Sequence, residues 1–434
     1  MAEGKIVVGV DIGTSKIITV IAKVDEESVI NVLGVSEVKS AGIRKGQIVD
    51  IEDAVAAINT SLEAAERMAG YSISRVTVSI GGSHIESINS KGVVAVATPE
   101  GEITPNDLTR VIDAARAVSL PSSREIIHVL PRNYTVDGQE GIKDPTSMTG
   151  VRLEVDTHII SASSTAVRNL AKALSEVGVD VEGVVFSGYA SSLAVLSDTE
   201  KELGIVLVDI GAGTTDISIY VEGSVAYSSV LPIGARHITN DLAIGLRVSL
   251  ESAEKIKLFL SRPQKRGMLT EAGELDPKEK TDEIDLANLG LPEEIRKVSK
   301  KTLVEGIIRP RLNEIFTMIG LEIKKSGLGG QTPAGLVITG GGAKTVGIVE
   351  SAKRMLAMPV RVGLPTDLKG IVDEVEDTPY AGVIGLIKFG SGLETKSSFG
   401  FGGLRLPKIP GLGKLPSGGK LGKKIFDLLR SFIP

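Results

Sequence analysis

The sequence predicts an α/β fold of two similar halves, and three observations lead to that prediction. The stretch VDIGTSK at residues 10–16 returns, slightly changed, as VDIGAGTTD at residues 208–216. Each copy lies between runs rich in β-branched residues, which is typical of a tight turn joining two strands of a hairpin. A third segment, GLVITGGGAKTVGI at residues 335–348, has the pattern of a buried strand, a triple-glycine turn and a helix start. The repeat indicates a duplicated scaffold with a cleft between its halves.

The length and composition of the chain indicate a folded protein of several domains. With 434 residues, of which 42% are hydrophobic and 24% charged, the chain has the balance of an ordinary globular protein. A prior of roughly 150 residues per domain predicts two to four domains. The absence of cysteine excludes disulfides, iron–sulfur clusters and thiol nucleophiles. The four histidines are scattered without metal-ligand spacing, so we expect them on the surface or in the core.

Charge is distributed unevenly along the chain. Residues 391–434 contain eight basic and two acidic residues, a net charge of +6, whereas the whole chain carries −5. The preceding 390 residues therefore carry −11. A basic tail on an acidic body is typical of a tail that binds a membrane surface or nucleic acid. The sequence shows neither a secretory signal nor an apolar run of about 20 residues, so we expect a cytoplasmic body.

Both copies of the repeated turn have the residues of a phosphate-binding loop. Their glycines let backbone N–H groups face an anion with no side chain in between, and the neighbouring hydroxyls add donors. Each copy also has an aspartate, Asp11 or Asp209, and a carboxylate beside a phosphate requires a shared cation such as Mg²⁺. An ordinary hairpin turn is the alternative for either copy alone. Two copies, each followed by hydroxyl residues and a β-rich run, favour a phosphate site.

The third segment predicts a close approach of the backbone to a ligand. Gly340, Gly341 and Gly342 follow the strand, and a turn without side chains can lie against a flat or charged group. The letters GAKT resemble the end of a P-loop, but that motif requires glycine at the position of Ala343. The segment is therefore not a Walker A motif.

These three segments, in this order, resemble the two phosphate loops and the adenosine loop of the actin, Hsp70 and sugar-kinase superfamily. Within it, stretches such as ELGIVLVDIGAGTTDISIY, LPIGARHITNDLA, VITGGGAK and TPYAGVIGLIKFG are similar to those of the FtsA family, actin homologues of bacterial cell division. The resemblance covers nearly the whole chain. It implies an actin-like (ribonuclease H-like) duplicated α/β fold with two lobes around a nucleotide cleft.

The resemblance also implies a division into subdomains. Subdomain 1C would be an FtsA-type insert in place of the 1B subdomain of actin, and the chain would continue past its body into a tether and a helix. The implied boundaries are 1–83, 162–203 and 376–390 for subdomain 1A, 84–161 for 1C, 204–231 and 302–375 for 2A, 232–301 for 2B, 391–418 for a disordered linker, and 419–434 for an amphipathic membrane-targeting helix.

Residue by residue, the resemblance implies a site for ATP and Mg²⁺. Asp11 and Asp209 would organise Mg²⁺ through water and are the candidate catalytic residues. Glu254 and Lys257 would contact ribose and adenine, with an exposed charged helix face as the alternative. Lys16 would reach the β-phosphate unless it faces solvent. The remaining nucleotide contacts would be Gly13, Thr14, Ser15, Gly211, Gly213, Thr214, Thr215, Gly340, Gly341 and Gly342.

Two departures from the family pattern bear on hydrolysis. Phosphoryl transfer requires a residue that orients the attacking water, and family members often have Glu-Pro where this chain has Ser187 and Gly188. A serine cannot act as a carboxylate base. Ala235 also stands where a second glycine is usual. We therefore expect tight ATP binding with slow or absent hydrolysis.

The C-terminal region predicts a membrane anchor on a tether. Residues 391–418 are rich in glycine, serine and proline, which favours a flexible linker. The following segment places apolar residues on one helical face with basic residues beside them, as in helices that lie in the surface of an anionic membrane. A helix docked on the protein's own core is the alternative. The residues of the predicted membrane helix are Leu421, Lys423, Lys424, Ile425, Phe426, Leu428, Leu429, Phe432 and Ile433.

The family resemblance implies a set of partners. The protein would polymerise, tether FtsZ filaments to the inner face of the cytoplasmic membrane at the division site, and recruit later divisome proteins through subdomain 1C. The C-terminal peptide of FtsZ would bind a basic cluster, with solvated helix charges as the alternative. The candidate residues of that cluster are Arg296, Lys297, Lys300 and Arg311.

Three other functions fit the sequence less well. A PilM-like scaffold of type IV pilus assembly shares the FtsA-like body but lacks a tethered amphipathic helix. An ATP-dependent small-molecule kinase would require a catalytic aspartate in addition to those of the two phosphate loops. Nucleic-acid binding would favour stacking aromatics among the basic residues of the tail, whereas this tail interleaves them with aliphatic residues.

Overall fold

The structure, a computed structural model, describes residues 4–25, 27, 29–98, 100–262, 282–293 and 297–392. These residues form two large sheets and a four-stranded sheet, and three hydrophobic cores accompany them. The predicted linker beyond Gly392 and the predicted membrane helix lie outside the described residues. Within the described ranges, no helix has both the length and the apolarity needed to cross a bilayer.

The chain begins with a hairpin that belongs to the first lobe. Its apolar strands are almost wholly buried, as expected for a sheet covered on both faces. The first helix is N-capped by Asp50, whose carboxylate accepts the Asp53 N–H at 3.1 Å, and ends at Gly70 in the left-handed region. The elements of this segment are β1 (Lys5–Ile12), β2 (Lys16–Val24), β3 (Ile30–Lys39), β4 (Ile43–Arg44), β5 (Gln47–Ile48), α1 (Ile51–Ala69) and β6 (Arg75–Ile80).

Residues 86–163, which we call the insert, form a separate antiparallel sheet with one helix on it. Thr104 and Asp107 form a capping box at the start of that helix. Leu108, Val111 and Leu153 belong to the insert's own core. The elements are β7 (Glu86–Ala95), α2 (Pro105–Arg116), β8 (Arg124–Val136), β9 (Gln139–Ile142) and β10 (Arg152–Ser163), in sheet order β7-β10-β8-β9.

The chain then returns to the first lobe and crosses to the second. The crossing segment is short, and a capping box of Ser197 and Glu200 starts its last helix. The elements are α3 (Ser164–Glu176), β11 (Asp180–Phe186), α4 (Ser187–Val195) and α5 (Asp198–Leu203).

The second lobe has a layout similar to that of the first. After the second lobe, the chain returns to the first lobe. A π-helix at Thr302–Ile308 leads directly into the long helix of this lobe. The elements are β12 (Ile205–Ile210), β13 (Thr215–Val221), β14 (Ser224–Leu231), α6 (Ala235–Leu246), α7 (Leu250–Ser261), β15 (Glu283–Asp285), β16 (Lys297–Ser299), α8 (Arg309–Ser326), β17 (Leu336–Thr339), α9 (Ile348–Leu356), β18 (Val360–Val362), β19 (Leu368–Gly370), α10 (Val372–Val375) and α11 (Ala381–Ser391).

Five strands of each large sheet share one topology, which confirms the predicted duplication, and the first sheet has β19 as an additional edge strand. The first has the order β11-β6-β1-β2-β3-β19 and the second the order β14-β13-β12-β17-β18. In each, the first three strands form an antiparallel meander, and the first strand also pairs in parallel with a later one. Helix α11 packs on α4 and β1, so the end of the described chain lies against the first lobe. The predicted duplicated α/β fold with two lobes is therefore confirmed.

Candidate functional site

The two copies of the repeated turn close in the same way. In the first, the Gly13 N–H donates to the Lys16 carbonyl at 3.0 Å, beyond the last strand pair. In the second, the Gly211 N–H donates to the Thr214 carbonyl at 2.9 Å, again beyond the last pair of its hairpin. Both turns line one cleft. The repeat in the sequence is therefore a repeat in backbone geometry.

The two turns approach each other closely at Gly213. A Cβ atom placed there would lie 2.9 Å from the Thr14 side chain, too close for any residue other than glycine without a shift. The Thr14 hydroxyl accepts the Gly46 N–H at 3.0 Å, which ties a third loop to the same place. The two turns therefore meet beside the cleft, with a glycine at the point of contact.

The triple-glycine turn brings backbone against one of the two aspartates. Gly340 has φ of 83°, and a Cβ there would lie 2.1 Å from Asp209 Oδ1. On the other side, a Cβ on Gly382 of α11 would lie 3.2 Å from Asp11 Oδ2. At Gly341, no heavy atom of the described residues other than its neighbours in the same turn lies within 4 Å of such a Cβ, so this glycine faces open space. The turn therefore supports Asp209 and leaves room in front of it.

Three carboxylates converge on the cleft. Asp11 accepts a hydrogen bond from the Ser79 hydroxyl at 2.7 Å, and Asp209 accepts one from the Ser191 hydroxyl. Asp216, opposite Asp209 in the hairpin ladder, is 5% exposed. Its Oδ1 atom has no hydrogen-bond partner within the described part of the chain. This acceptor is therefore available to a bound group.

The charges of these carboxylates oppose one another. Burial raises the pKa of Asp11. Burial, opposed by the hydrogen bond from Ser191 and aided by the charge of Asp11, raises the pKa of Asp209 to about 7. For Asp216 burial raises the pKa well above the usual value, and the charges of Asp209 and Asp11 add to that effect. A cation in the cleft would remove this opposition, because an opposite charge favours the ionised carboxylates.

The acidic cluster fits a hydrated cation better than a metal held by the protein alone. In the described ranges, no three His, Cys, Asp or Glu side chains are placed to ligate one metal ion together. Mg²⁺ usually keeps several waters and takes one or two carboxylates plus phosphate oxygens as ligands. The donor set of the cleft, carboxylates beside glycine-rich turns, matches that chemistry.

Most of the predicted nucleotide contacts meet in this cleft. Asp11, Gly13, Thr14, Ser15, Lys16, Asp209, Gly211, Thr214, Gly340 and Gly341 line it. Gly213, Thr215, Gly342, Glu254 and Lys257 lie outside its lining. The Thr215 hydroxyl is buried and donates to the Ile233 carbonyl at 2.8 Å. The cleft is also lined by Gly46, Gly81, Ser187, Ala212, Asp216, Pro379 and Gly382.

Two of the predicted cationic contacts have partners within the chain. Lys16 forms an ion pair of 2.7 Å with Glu37 on β3. Lys257 is 7% exposed and donates to Glu254 at 2.8 Å and to the Thr239 hydroxyl at 2.9 Å. The burial of Lys257 does not fit the alternative of an exposed charged face at that position. Both lysines would have to change partners, or share them, to contact a ligand.

The residues of the predicted peptide-binding cluster are only partly described. Lys297 pairs with Glu283 at 3.4 Å. Arg311 donates to both carboxylate oxygens of Asp241, at 2.6 and 2.9 Å, and also pairs with Glu314. Lys300 lies next to the π-helix, and its backbone N–H donates to the Asp282 carbonyl. Arg296 lies outside the described residues, as do Leu421, Lys423, Lys424, Ile425, Phe426, Leu428, Leu429, Phe432 and Ile433.

One prominent residue of the cleft, Asp216, was not predicted from the sequence. A signal for it exists in the repeated motif, because Asp216 follows Asp209 by seven residues and pairs with it across the hairpin, whereas the residue seven after Asp11 is Ile18. The supporting hydroxyls of Ser79 and Ser191 had no such signal. Ser79 comes from β6 and Ser191 from α4, and only the folded sheet brings them to the aspartates.

Comparison with known proteins identifies the family. A family model described as "SHS2 domain inserted in FTSA" matches residues 82–161, and one described as "Cell division protein FtsA" matches residues 206–385. The cell division protein FtsA of Pseudomonas aeruginosa is 38% identical over 388 residues, covering 89% of this chain and 90% of the relative. That of Borreliella burgdorferi is 39% identical over 387 residues, covering 88% and 90%. That of Escherichia coli K12 is 32% identical over 395 residues, covering 89% and 91%.

Solved structures with the same architecture are more distant in sequence. The PilM–PilN type IV pilus biogenesis complex matches with a TM-score of 0.61 at 15% identity, over 89% of this chain and 98% of that one. MreB5 of Spiroplasma citri bound to ADP matches with a TM-score of 0.50 at 14% identity, over 90% and 98%. These two structural similarities establish an actin-like fold. The relatives found by sequence also establish the family. The chain belongs to the FtsA family of actin-like bacterial cell division proteins.

Proposed function

We propose that the cleft binds ATP together with Mg²⁺. The observation that carries this proposal is the convergence on one cleft of two identically closed glycine turns and three carboxylates, of which Asp216 is buried and the other two are half-buried. Gly13 and Gly211 would present backbone N–H groups of their loops to the phosphates. Gly340 and Gly341 would allow the nucleoside to lie against the backbone. The related fold of Spiroplasma citri MreB5 has been solved with ADP and with AMPPNP.

The three aspartates would have separate roles in such a complex. Asp11 and Asp209, each oriented by a serine hydroxyl, would hold water around the metal. Asp216, with its unpartnered oxygen, would accept from a water in front of the phosphates. Bound Mg²⁺ would supply charge neutralisation for the phosphates and carboxylates. Ser187 stands on the cleft wall near Asp216 but has no acid–base capacity near neutral pH, so we propose slow or absent hydrolysis.

The nucleotide proposal is tested by titrating fluorescent ATP, with and without Mg²⁺. Asp216→Asn keeps the size of the side chain and removes one carboxylate, so Mg²⁺-dependent affinity should fall at least about tenfold, as for a lost charge-assisted contact. Asp198→Asn is the matched control, because that carboxylate is fully exposed on α5. ATP binding that is unaffected by Asp216→Asn would overturn the role of Asp216. Phosphate release faster than about 1 s⁻¹ would overturn slow hydrolysis.

At the cellular level we propose that the chain polymerises and tethers FtsZ filaments to the cytoplasmic face of the membrane, and that subdomain 1C receives later divisome proteins. Family membership supports this function. The amphipathic pattern and net positive charge of the C-terminal segment support the membrane anchor. The subdomain boundaries that the family resemblance implies belong to the same proposal.

The proposed FtsZ contact is tested by reversing the charge of its lysines. Arg311→Glu would break the bidentate pair with Asp241 and could disturb the fold, so a double reversal, Lys297→Glu with Lys300→Glu, is preferable. Binding of a fluorescent FtsZ C-terminal peptide should weaken at least about tenfold, because an acidic peptide would meet like charges. Lys324→Glu, an exposed reversal at the end of α8, serves as the control. Equal binding by the double variant and the control would rule out these contacts.

A further inference from the structure

The insert contacts both lobes, although the chain attaches it only to the first. It leaves the first lobe after β6 and returns through α3. On the far side, however, its strands β7, β8 and β10 pack against β14 of the second lobe. Strand β14 is the edge strand of the second sheet, so its outer backbone groups require partners.

Side chains of the insert form hydrogen bonds with outer backbone groups of β14. The Ser87 hydroxyl donates to the Ser228 carbonyl at 2.7 Å and accepts the Ser228 N–H at 3.2 Å. The Asn89 amide donates to the Ala226 carbonyl at 3.2 Å. In the turn that precedes β14, the Lys143 ammonium donates to the Glu222 carbonyl. The Ser87 and Asn89 side chains therefore bond to β14 as a neighbouring strand would, and Lys143 bonds to the turn beside it.

A buried histidine joins the two halves of this contact. His158 is 1% exposed and lies 2.7 Å, through Nδ1, from the Asn89 side-chain oxygen. That oxygen can only accept, because the Asn89 amide nitrogen faces the Ala226 carbonyl, so Nδ1 carries the proton. Nε2 then accepts from the Ser228 hydroxyl at 3.0 Å. The ring is neutral and connects β10 to β14.

A second buried histidine, on the neighbouring strand β8, attaches the insert to the first lobe. The Phe186 N–H donates to His128 Nε2 at 3.0 Å. The His128 ring also packs against Tyr189 and Phe389, with centroid distances of 5.1 and 5.8 Å. His128 and His158 lie close in the insert sheet, because His128 pairs with Ile160 across the β8–β10 ladder.

We propose that the insert is a clasp that holds the two lobes at a fixed separation, with His128 as its anchor on the first lobe and the set of Ser87, Asn89 and His158 as its grip on the second. In this proposal, opening of the cleft includes a movement of β14 away from the first lobe, which requires these buried and part-buried polar contacts to break. The clasp therefore slows exchange of whatever the cleft binds. Its structural part does not depend on ATP being the ligand, and its kinetic part rests on the proposed nucleotide site.

The test compares amide hydrogen exchange in two variants of the full chain. Ser87→Ala with Asn89→Ala removes the grip on β14. Ser90→Ala is the matched control, because Ser90 lies on the same strand but donates to Ala115 within the insert, at 2.9 Å. Peptides covering β14 should exchange about tenfold faster in the double variant and as in wild type in the control, while β12 stays protected in all three. Unchanged exchange at β14 in the double variant would overturn the clasp.

A second measurement separates the clasp from the nucleotide proposal. With fluorescent ATP and Mg²⁺, the double variant should release nucleotide several-fold faster than wild type and Ser90→Ala. Faster exchange at β14 with unchanged release would overturn the coupling to the cleft. If none of the three proteins bound nucleotide, the proposed function would fail, yet the exchange at β14 would still decide the clasp. Lys143→Ala is a further variant at the rim of the contact, and because this side chain is exposed, its loss leaves the core of the insert intact. Peptides covering β14 should exchange faster in this variant than in wild type.

Discussion

At Asp209 the fold opposes the ionisation of a single side chain. The residue lies beside Asp11 and Asp216, and burial is the main reason that its pKa is raised to about 7. A carboxylate with a raised folded pKa binds a proton more readily in the native state, so stability falls as pH rises from about 4 to 7. This cost is typical of a site that is stabilised only when a cation is bound.

Replacing Asp209 by asparagine should therefore stabilise the free protein. At pH 8 we expect a gain of roughly 1 to 4 kcal/mol in the free energy of unfolding, because the buried charge is removed and the Ser191 hydroxyl keeps an acceptor. Urea unfolding at pH 8 and pH 5 measures the gain, which should shrink at the lower pH. Asp198→Asn should change neither value. A destabilised Asp209→Asn protein at pH 8 would contradict this account of the cluster.

His128 should contribute a pH dependence of the opposite sign. Burial lowers the pKa of His128 from 6.5 to about 3. As pH falls below 6.5, the histidine therefore becomes protonated in the unfolded chain while it stays neutral in the native state. Above pH 6.5 the contribution of His128 to the free energy of unfolding is complete. Below pH 6.5 this contribution decreases by up to about 1.4 kcal/mol per pH unit. His128→Gln should have a shallower slope of unfolding free energy between pH 6.5 and 5 than wild type. Parallel slopes would show that His128 is already protonated in the native state. His158, which faces Arg132, has a pKa lowered to about 3 by burial and adds its own slope to both proteins.

At the scale of elements, the contact between α11 and α4 determines how the chain closes on the first lobe. Gly385 of α11 meets the backbone of α4, where an added Cβ would lie 1.7 Å from the Ala190 carbonyl oxygen. The same two helices position the cleft residues Gly382 and Ser187. Close packing of α11 against α4 therefore stabilises the first lobe and fixes the positions of these cleft residues.

Alanine at Gly385 should be strongly destabilising. The overlap with backbone cannot be relieved by a rotamer change, so we expect a loss of about 3 kcal/mol or more in thermal or urea unfolding. Gly306→Ala in the π-helix is the matched control, because in the described part of the chain no heavy atom beyond its own helix backbone lies within 4 Å of its added Cβ. A Gly385→Ala protein as stable as Gly306→Ala would show that α11 can move away from α4 at little cost.

Sequence patterns predicted individual elements well when the signal was local. The repeated turns between β-rich runs and the helix at the end of the body correspond to hairpins and to α11 in the structure. The partner of Lys16 was not predictable, because Glu37 reaches it only through the pairing of β2 with β3. The burial of Lys257 was equally hidden, since it depends on α6 covering one face of α7.

At the scale of the whole molecule, the two lobes are connected by more than the chain. The insert spans them through hydrogen bonds to β14 and β11, contacts between segments far apart in sequence that no local pattern reveals. The sequence repeat could predict two halves and a cleft, because the residues that form each turn are contiguous in the sequence. It could not predict how a unit inserted in one half would bond to the other.

Co-flotation tests the proposal that the chain connects FtsZ to a membrane. Liposomes with anionic lipid are mixed with FtsZ, Mg-ATP and either the full chain or a chain ending at Ser417. We predict that FtsZ floats with the liposomes only when the full chain is present. FtsZ that floats equally well with the truncated chain, or with neither, would contradict the tether.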